Sequence, residues 1–272
     1  MGAYFTITRD LATTLLPVAT VFALLALATK RRAALGAALR VRREAATNAG
    51  LVVVNYILLA PLMLVPVLAV RAALPVPEMI ATVWSAVPQL LVLVLAILLF
   101  ELAGYWRHRI EHHPGLWRFH ATHHADEELH WLSVLRKHPV SKFIELLFDS
   151  LPVLLLGFPA WSIVGAQLIR SWWGYFIHAD VPWTLGLAGR FLISPAAHRL
   201  HHIRDEALMG SNYGNMLTLW DRVFGTWRDP APYLNCATGI AEGTRGIWGE
   251  LKRPWEARYR RRHAAGAVKA AA

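Results

Sequence analysis

Cysteine is almost absent. Cys236 stands alone, which excludes an internal disulfide and any cysteine-rich zinc or iron–sulfur site, and a lone thiol of this kind is read as a small packing residue. Charge is scarce as well: Asp, Glu, Lys and Arg make up 17% of the 272 residues, against 56% apolar. Mean hydropathy is positive, which is unusual for a soluble domain. Charge is missing altogether from Leu11–Thr29, Leu51–Val70 and Met79–Phe100. At ~1.5 Å rise per residue, ~20 residues cross a ~30 Å hydrocarbon core. The expected class is an all-α integral membrane protein. No repeat of the solenoid type is present.

The net charge of +10 does not mark a nucleic-acid binder, because its distribution follows topology. Lys30, Arg31, Arg32, Arg40, Arg42 and Arg43 lie between the first two apolar stretches, and only Arg71 between the second and third. The positive-inside rule puts 30–44 in the cytoplasm and 71–78 outside. The third stretch then brings the chain back to the cytoplasm near Gly104. Phe143–Ile177 holds one apolar run broken by Gly157, Phe158 and Pro159. Read as a helical hairpin, it returns both ends to one face, and Arg9, Arg71 and Arg170 are then the only basic residues outside cytoplasmic segments. About four spans are expected, the last two a hairpin, below a cytosolic cap. The expected division is 1–50 (membrane helix and basic loop) and 51–272 (the main domain, its core about 100–228, with a basic tail from about 253 attracted to anionic headgroups).

Histidine is what the chain has in quantity: twelve of the 13 fall between positions 108 and 202. His108 and His112 are four apart, and so share one helical face. His120, His123 and His124 follow the i, i+3, i+4 spacing, and His198, His201 and His202 repeat it. Eight imidazoles exceed what one ion accepts and suit two neighbouring ions. A structural zinc site closes with four ligands, and a mononuclear hydrolytic site needs about three. An all-nitrogen dinuclear site with open positions fits iron that activates O2, although the same nitrogens bind zinc in a purified sample.

The order HRIEH (108–112), LWRFHATHH (116–124), PAAHRLHH (195–202), NYG (212–214) and LWDRVFGT (219–226) resembles the fatty acid hydroxylase / sterol desaturase superfamily over about 100–228. The resemblance implies a non-haem di-iron centre that uses O2 and external electrons to hydroxylate or desaturate a C–H bond of a lipid, sterol-like, fatty acyl or alkylglycerol. It implies His108, His112, His120, His123, His124, His198, His201 and His202 as ligands. His178 in FIHAD and His138 in RKHP match further histidines of sterol-type members, although a histidine before proline also caps turns. His113, His130 and His263 have no place in the pattern. Asp180 stands where members commonly carry Asn, and Gly210 and Ser211 where an acidic residue often precedes NYG.

Asp180 is a candidate to orient His178. NYG and LWDRVFGT are expected to build turns holding the cap, with Asn212 and Asp221 as candidates to hydrogen-bond a ligand histidine. Glu111, Asp126, Glu127 and Asp180 could offset the charge of a metal with neutral ligands. Arg170 is expected to snorkel to the cytosolic interface, and SWWGYF (171–176) to form an interfacial aromatic belt. HPG at 113–115 lacks the context of a haem-binding turn, so electrons come from a separate protein: a ferredoxin, a cytochrome b5-like protein or a reductase. The expected location is a bacterial inner membrane, with the histidines facing the cytoplasm. Two rivals from other classes are a membrane metal transporter and a metal-dependent lipid hydrolase. Spans that lack histidine count against the first, and dependence on O2 separates the second.

Overall fold

Long apolar runs with few breakers become long helices. The structure is a computed structural model and describes residues 2–73 and 78–259. α1 (Gly2–Lys30) carries the first apolar run. The hydroxyls of Thr20 and Thr29 donate to carbonyls four residues back, so these polar groups are satisfied inside the helix. The basic segment 30–44, expected as a loop, is helical instead. A single 3-10 turn (Arg31–Ala33), with Arg31 at φ 49, leads directly into α2 (Ala34–Ala73). The Ala, Leu and Arg residues of 30–44 are strong helix formers, and no proline falls within that segment. The third apolar stretch also differs from expectation. Pro88 divides it into α3 (Glu78–Ala86) and α4 (Gln89–Glu111), because proline has no N–H to continue a helix. By length and composition, Ala12–Leu59 and Gln89–Glu111 could cross a membrane. The expected external loop 71–78 lies partly outside the described residues.

Met1–Arg43 and Glu44–Ala272 separate as two compact units. The boundary comes before the expected 50/51 because Glu44 and Asn48 belong to the second unit. Glu44 accepts from the backbone amides of Glu127 and Glu128, and Asn48 donates to Asp126 at 2.8 Å.

Gly157 takes a left-handed φ of 64, which costs glycine little. It turns α6 (Pro139–Leu155) into α7 (Ala160–Ile177). Trp84 seals this turn by donating to the Leu156 carbonyl and packing on Phe158. The hairpin lies against α4, where Val92, Ala96 and Phe100 share a core with Val153, Phe158 and Ala166. Ser141, in the first turn of α6, donates to Glu111 at the end of α4. The arms therefore begin and end at the histidine-bearing end of α4. Each arm is roughly 26 Å long.

Arg170 does not snorkel. It is buried in α7, donates to Glu101 at 2.7 Å and lies 3.6 Å from Asp149. Gly104 makes this possible, because a Cβ there would come within 2.7 Å of the Arg170 guanidinium. The aromatic belt is likewise only partial. Trp172 is exposed, whereas Trp173 donates to the Ile193 carbonyl and Tyr175 is buried. Around the histidines the chain folds into short elements: α5 (Pro114–His124), α8 (Pro195–His201), α9 (Leu219–Val223) and α10 (Ile247–Lys252). Trp117, Ala121, Leu200, Ile203, Met209 and Ile240 form their core, with Cys236 packed against it. The described residues contain no strand, only two isolated bridges. Nor does a free tail begin at 253: Arg253, Pro254 and Tyr259 are buried. The tail beyond 259, including His263, lies outside the described residues.

Candidate metal centre

Helical spacing gathers the histidines, and three helix ends bring the sets together. His108 and His112 close α4, His120, His123 and His124 close α5, and His198, His201 and His202 close α8. Two groups result. His108, His112, His120, His124 and His201 form the first, and His123, His178, His198 and His202 the second; within each, the candidate ligand atoms lie within 4.8 Å of one another. The groups adjoin, with the His124 and His202 rings stacked at 4.3 Å between centroids. All eight box positions and His178 are thus brought together, without a carboxylate in either group.

The ring nitrogens fit metal ions. The Nε2 atoms of His108, His112 and His201, both nitrogens of His120 and His124, and Nδ1 of His123, His198 and His202 are buried without a hydrogen-bond partner. Buried polar atoms are normally paired, and leaving one unpaired costs about 1–3 kcal/mol. His198 Nε2 faces His178 Nε2 at 3.0 Å and His202 Nε2 at 3.2 Å. One proton cannot satisfy all three nitrogens, whereas a cation between them can accept all three lone pairs. Burial, followed by neighbouring imidazoles, lowers the pKa of His123, His124, His198 and His202 well below the usual value. Burial takes His178 and His201 down to about 3. Neutral imidazole is the form that binds metal.

The groups that orient the rings are mostly main-chain carbonyls. His108 Nδ1 pairs with the Tyr213 carbonyl at 2.8 Å, His201 Nδ1 with Ser211 at 2.8 Å, and His178 Nδ1 with Gly174 at 2.7 Å. A carbonyl only accepts, so each of these rings carries its proton on Nδ1 and turns Nε2 toward its group. Here the expected side-chain contacts need correction. Asn212, at φ 55, donates to the carbonyls of Ala197 and Arg228 and accepts from the Arg228 amide. Asp221 accepts from the amides of Tyr213 and Gly214 and from Thr226. Both residues shape the turn that presents the Ser211 and Tyr213 carbonyls, rather than touching a histidine themselves. Asp180 pairs with Arg199 at 2.7 Å, while both nitrogens of His178 are directed elsewhere.

His138 also departs from the ligand set that the resemblance implies. It is the N-cap of α6, with Nδ1 accepting from the Val140 amide and Nε2 at 3.3 Å from the Leu251 carbonyl. His113, likewise followed by proline, caps α5 in the same way, and His130 caps the 3-10 turn Trp131–Leu135. A carboxylate does reach the centre: Glu111 lies 3.5 Å from His120 Nδ1. Asp126 is engaged with Arg136 at 2.8 Å, and Glu127 lies 3.1 Å from Arg204.

The lowered histidine values set a pH dependence for the metal-free protein. Unfolded histidines take up protons below about 6.5, and the buried ones resist until far lower. The folded state therefore binds fewer protons, and its stability should be complete above about pH 6.5 and fall as pH drops toward 3. Thermal unfolding of chelator-treated protein across that window should show a steadily falling midpoint. A flat profile would contradict the burial of neutral histidines.

Residues 93–226 match the family described as fatty acid hydroxylase. The chain is 28% identical to an ornithine lipid hydroxylase, OlsE, of Rhizobium tropici, over 64% of this chain and 53% of that protein. It is 32% identical to an alkylglycerol monooxygenase of Danio rerio, over 57% of this chain and 34% of the relative. A Delta(7)-sterol 5(6)-desaturase of Gibberella zeae is 28% identical over 56% of this chain and 45% of its own length. The chain thus spans about half the length of the first of these relatives, and less of the others. No solved structure matches it significantly.

Proposed function

From the match of residues 93–226 to the fatty acid hydroxylase family and from the relatives above, we propose that the chain is a member of the fatty acid hydroxylase / sterol desaturase superfamily, a membrane-bound di-iron oxygenase acting on a C–H bond of a lipid. The observation that carries this reading is the pair of adjoining all-histidine groups, with candidate ligand atoms within 4.8 Å of one another in each and many buried ring nitrogens left without a partner. Two irons held there would supply oxidation of the lipid by O2, with two electrons and two protons from outside yielding an alcohol and water, or a double bond and two waters. His108, His112, His120, His124 and His201 would hold one ion, and His123, His178, His198 and His202 the other. The Tyr213, Ser211 and Gly174 carbonyls keep three of these rings in the tautomer that binds through Nε2. Glu111 places negative charge beside His120, which partly offsets the cationic centre. Most of the ligand histidines are buried, whereas His112 is half-buried and lines an outer cavity of about 340 Å³ with Trp117, Met209 and Tyr213.

The protein would cross the bilayer about four times, α6 and α7 as a short hairpin. Arms somewhat shorter than ~30 Å are accommodated by local thinning. The histidine end would face the cytoplasm of a bacterial inner membrane, the side that carries most Lys and Arg. Electrons would come from a separate ferredoxin, cytochrome b5-like protein or reductase.

The test is lipidomics of a host that lacks the protein, complemented with wild type or with His123→Ala. Wild type should yield lipids that have gained one oxygen atom or lost two hydrogens, only in the presence of O2, and His123→Ala should yield none. Turnover under strict anaerobiosis would instead point to a hydrolase.

A further inference from the structure

Two cavities adjoin behind the second histidine group. The first, about 280 Å³, lies between α2 and the start of α6, against Val52, Tyr56, Leu59 and Leu146. The second, about 310 Å³, is polar and includes Arg107, Lys142, Glu145, Asp149 and Arg170. They share Val134, Leu135, Lys137, Lys142 and Leu146, so the two adjoin along these side chains. The polar cavity is the one nearer the centre. Its wall includes Gly174, whose carbonyl accepts from His178, and Arg107, which pairs with the Glu111 beside His120.

Charge in the polar cavity is unevenly matched. Asp149 is shared by Arg107 and Arg170, each of which has a further carboxylate, Glu111 and Glu101 respectively. At the junction, however, Lys137 and Lys142 both converge on the one carboxylate of Glu145. Their side chains are 15% and 31% exposed. The surplus positive charge at this end is balanced by the surplus carboxylate around Arg107 and Arg170, so the network is neutral but polarised. Its positive end lies where the apolar slot adjoins the polar cavity. An amphiphile whose single negative group meets the two ammoniums, with its chain along α2, satisfies both halves.

We propose that the joined cavities form one lipid site, with an alkyl chain against Val52, Tyr56 and Leu59 and an anionic headgroup at Lys137 and Lys142, so that the carbon offered to the histidine centre lies near the headgroup. This rests on the oxygenase reading for its last step only. A phosphate or a carboxylate has the required chemistry, and the attached chain distinguishes a lipid from a free anion.

The experiment measures equilibrium binding of hexadecyl phosphate and of uncharged hexadecyl glycerol to the full chain in nanodiscs. Wild type should prefer the phosphate by about fivefold or more, the worth of one partly shielded ion pair. Lys142→Gln should erase that preference, leaving the glycerol ether unchanged. Leu59→Trp, which fills the slot, should weaken both. Glu145→Gln should tighten the phosphate ligand, a gain that misfolding cannot produce. Equal binding of both ligands by wild type, or equal losses in Lys142→Gln, would overturn the proposal. So would inorganic phosphate that binds as tightly as the alkyl phosphate, with Leu59→Trp silent, because the site would then serve a free anion. Binding needs no turnover, so failure of the oxygenase assay leaves this result standing, and loss of binding leaves that assay standing. Where turnover is seen, fragmentation should place the new oxygen or double bond close to the headgroup; a product altered at the far end of the chain would refute the stated orientation.

Discussion

His198→Ala is expected to abolish the proposed lipid oxidation, lowering turnover by about a thousandfold or more, as when a member of a unit that acts together is removed. His198 Nε2 lies between the Nε2 atoms of His178 and His202, at 3.0 and 3.2 Å, so its loss opens the middle of the second group. Metal analysis of the purified variant should show about half the wild-type content, because the first group of five histidines stays complete. His138→Ala is the contrasting case. Losing an N-cap costs about 1 kcal/mol of stability, and metal content should stay at the wild-type level. Full metal in His198→Ala, or metal loss in His138→Ala matching that in His198→Ala, would overturn this division of the histidines.

Arg136→Met is expected to have the largest effect on stability, about 3–5 kcal/mol, the usual cost of removing one partner from a buried ionic cluster. Arg136 has a fully buried side chain, as have Asp126 and Glu250, with which it pairs. It also donates to Asn48 of α2, to Thr244 and to the Thr122 carbonyl. Thr122 stands between His120 and His123, so the guanidinium anchors the α5 histidines as well as the cap. Denaturant unfolding in detergent should show the loss, and metal affinity should fall with it. Arg136→Lys should recover little, because an ammonium cannot reproduce a planar fork that meets five partners. A variant as stable as wild type would mean that the cluster is not needed for folding.

Much of the centre was legible in the sequence, because helical periodicity is a local rule. Spacings of three and four place imidazoles on one face whatever the rest of the chain does, and the His108, His120 and His198 sets follow it. The hairpin was legible for a different reason: two histidine sets that must meet force the chain between them to return. What could not be read was whatever depended on the main chain or on distant partners. Ser211, Tyr213 and Gly174 act through carbonyls, which leave no mark on residue type. A signal for His138 was present, since His113 and His138 both precede proline, and each caps the helix that its proline begins. Arg170 was misread because its partner Glu101 lies 69 positions away, beyond any local pattern. The helical continuation through 34–50 was obscured by its charges, which bear on topology but do not break a helix.

The pairing between α4 and the hairpin bears on how the molecule is made. Glu101, Arg107 and Glu111 come from α4, while Asp149 and Arg170 come from the two arms. Translation delivers α4 first, and although Arg107 and Glu111 pair within it, Glu101 has no basic partner until Arg170 of the hairpin arrives. For the membrane placement proposed above, charge left unmatched in a bilayer would cost several kcal/mol, so α4 would not settle deeply alone and the hairpin would be drawn to it as it emerges. The same ionic chain that joins three helices in the finished protein would then make their insertion cooperative. A nascent chain stopped before Arg170 would present an unpaired Glu101 to lipid, a form that membrane quality control could recognise and remove.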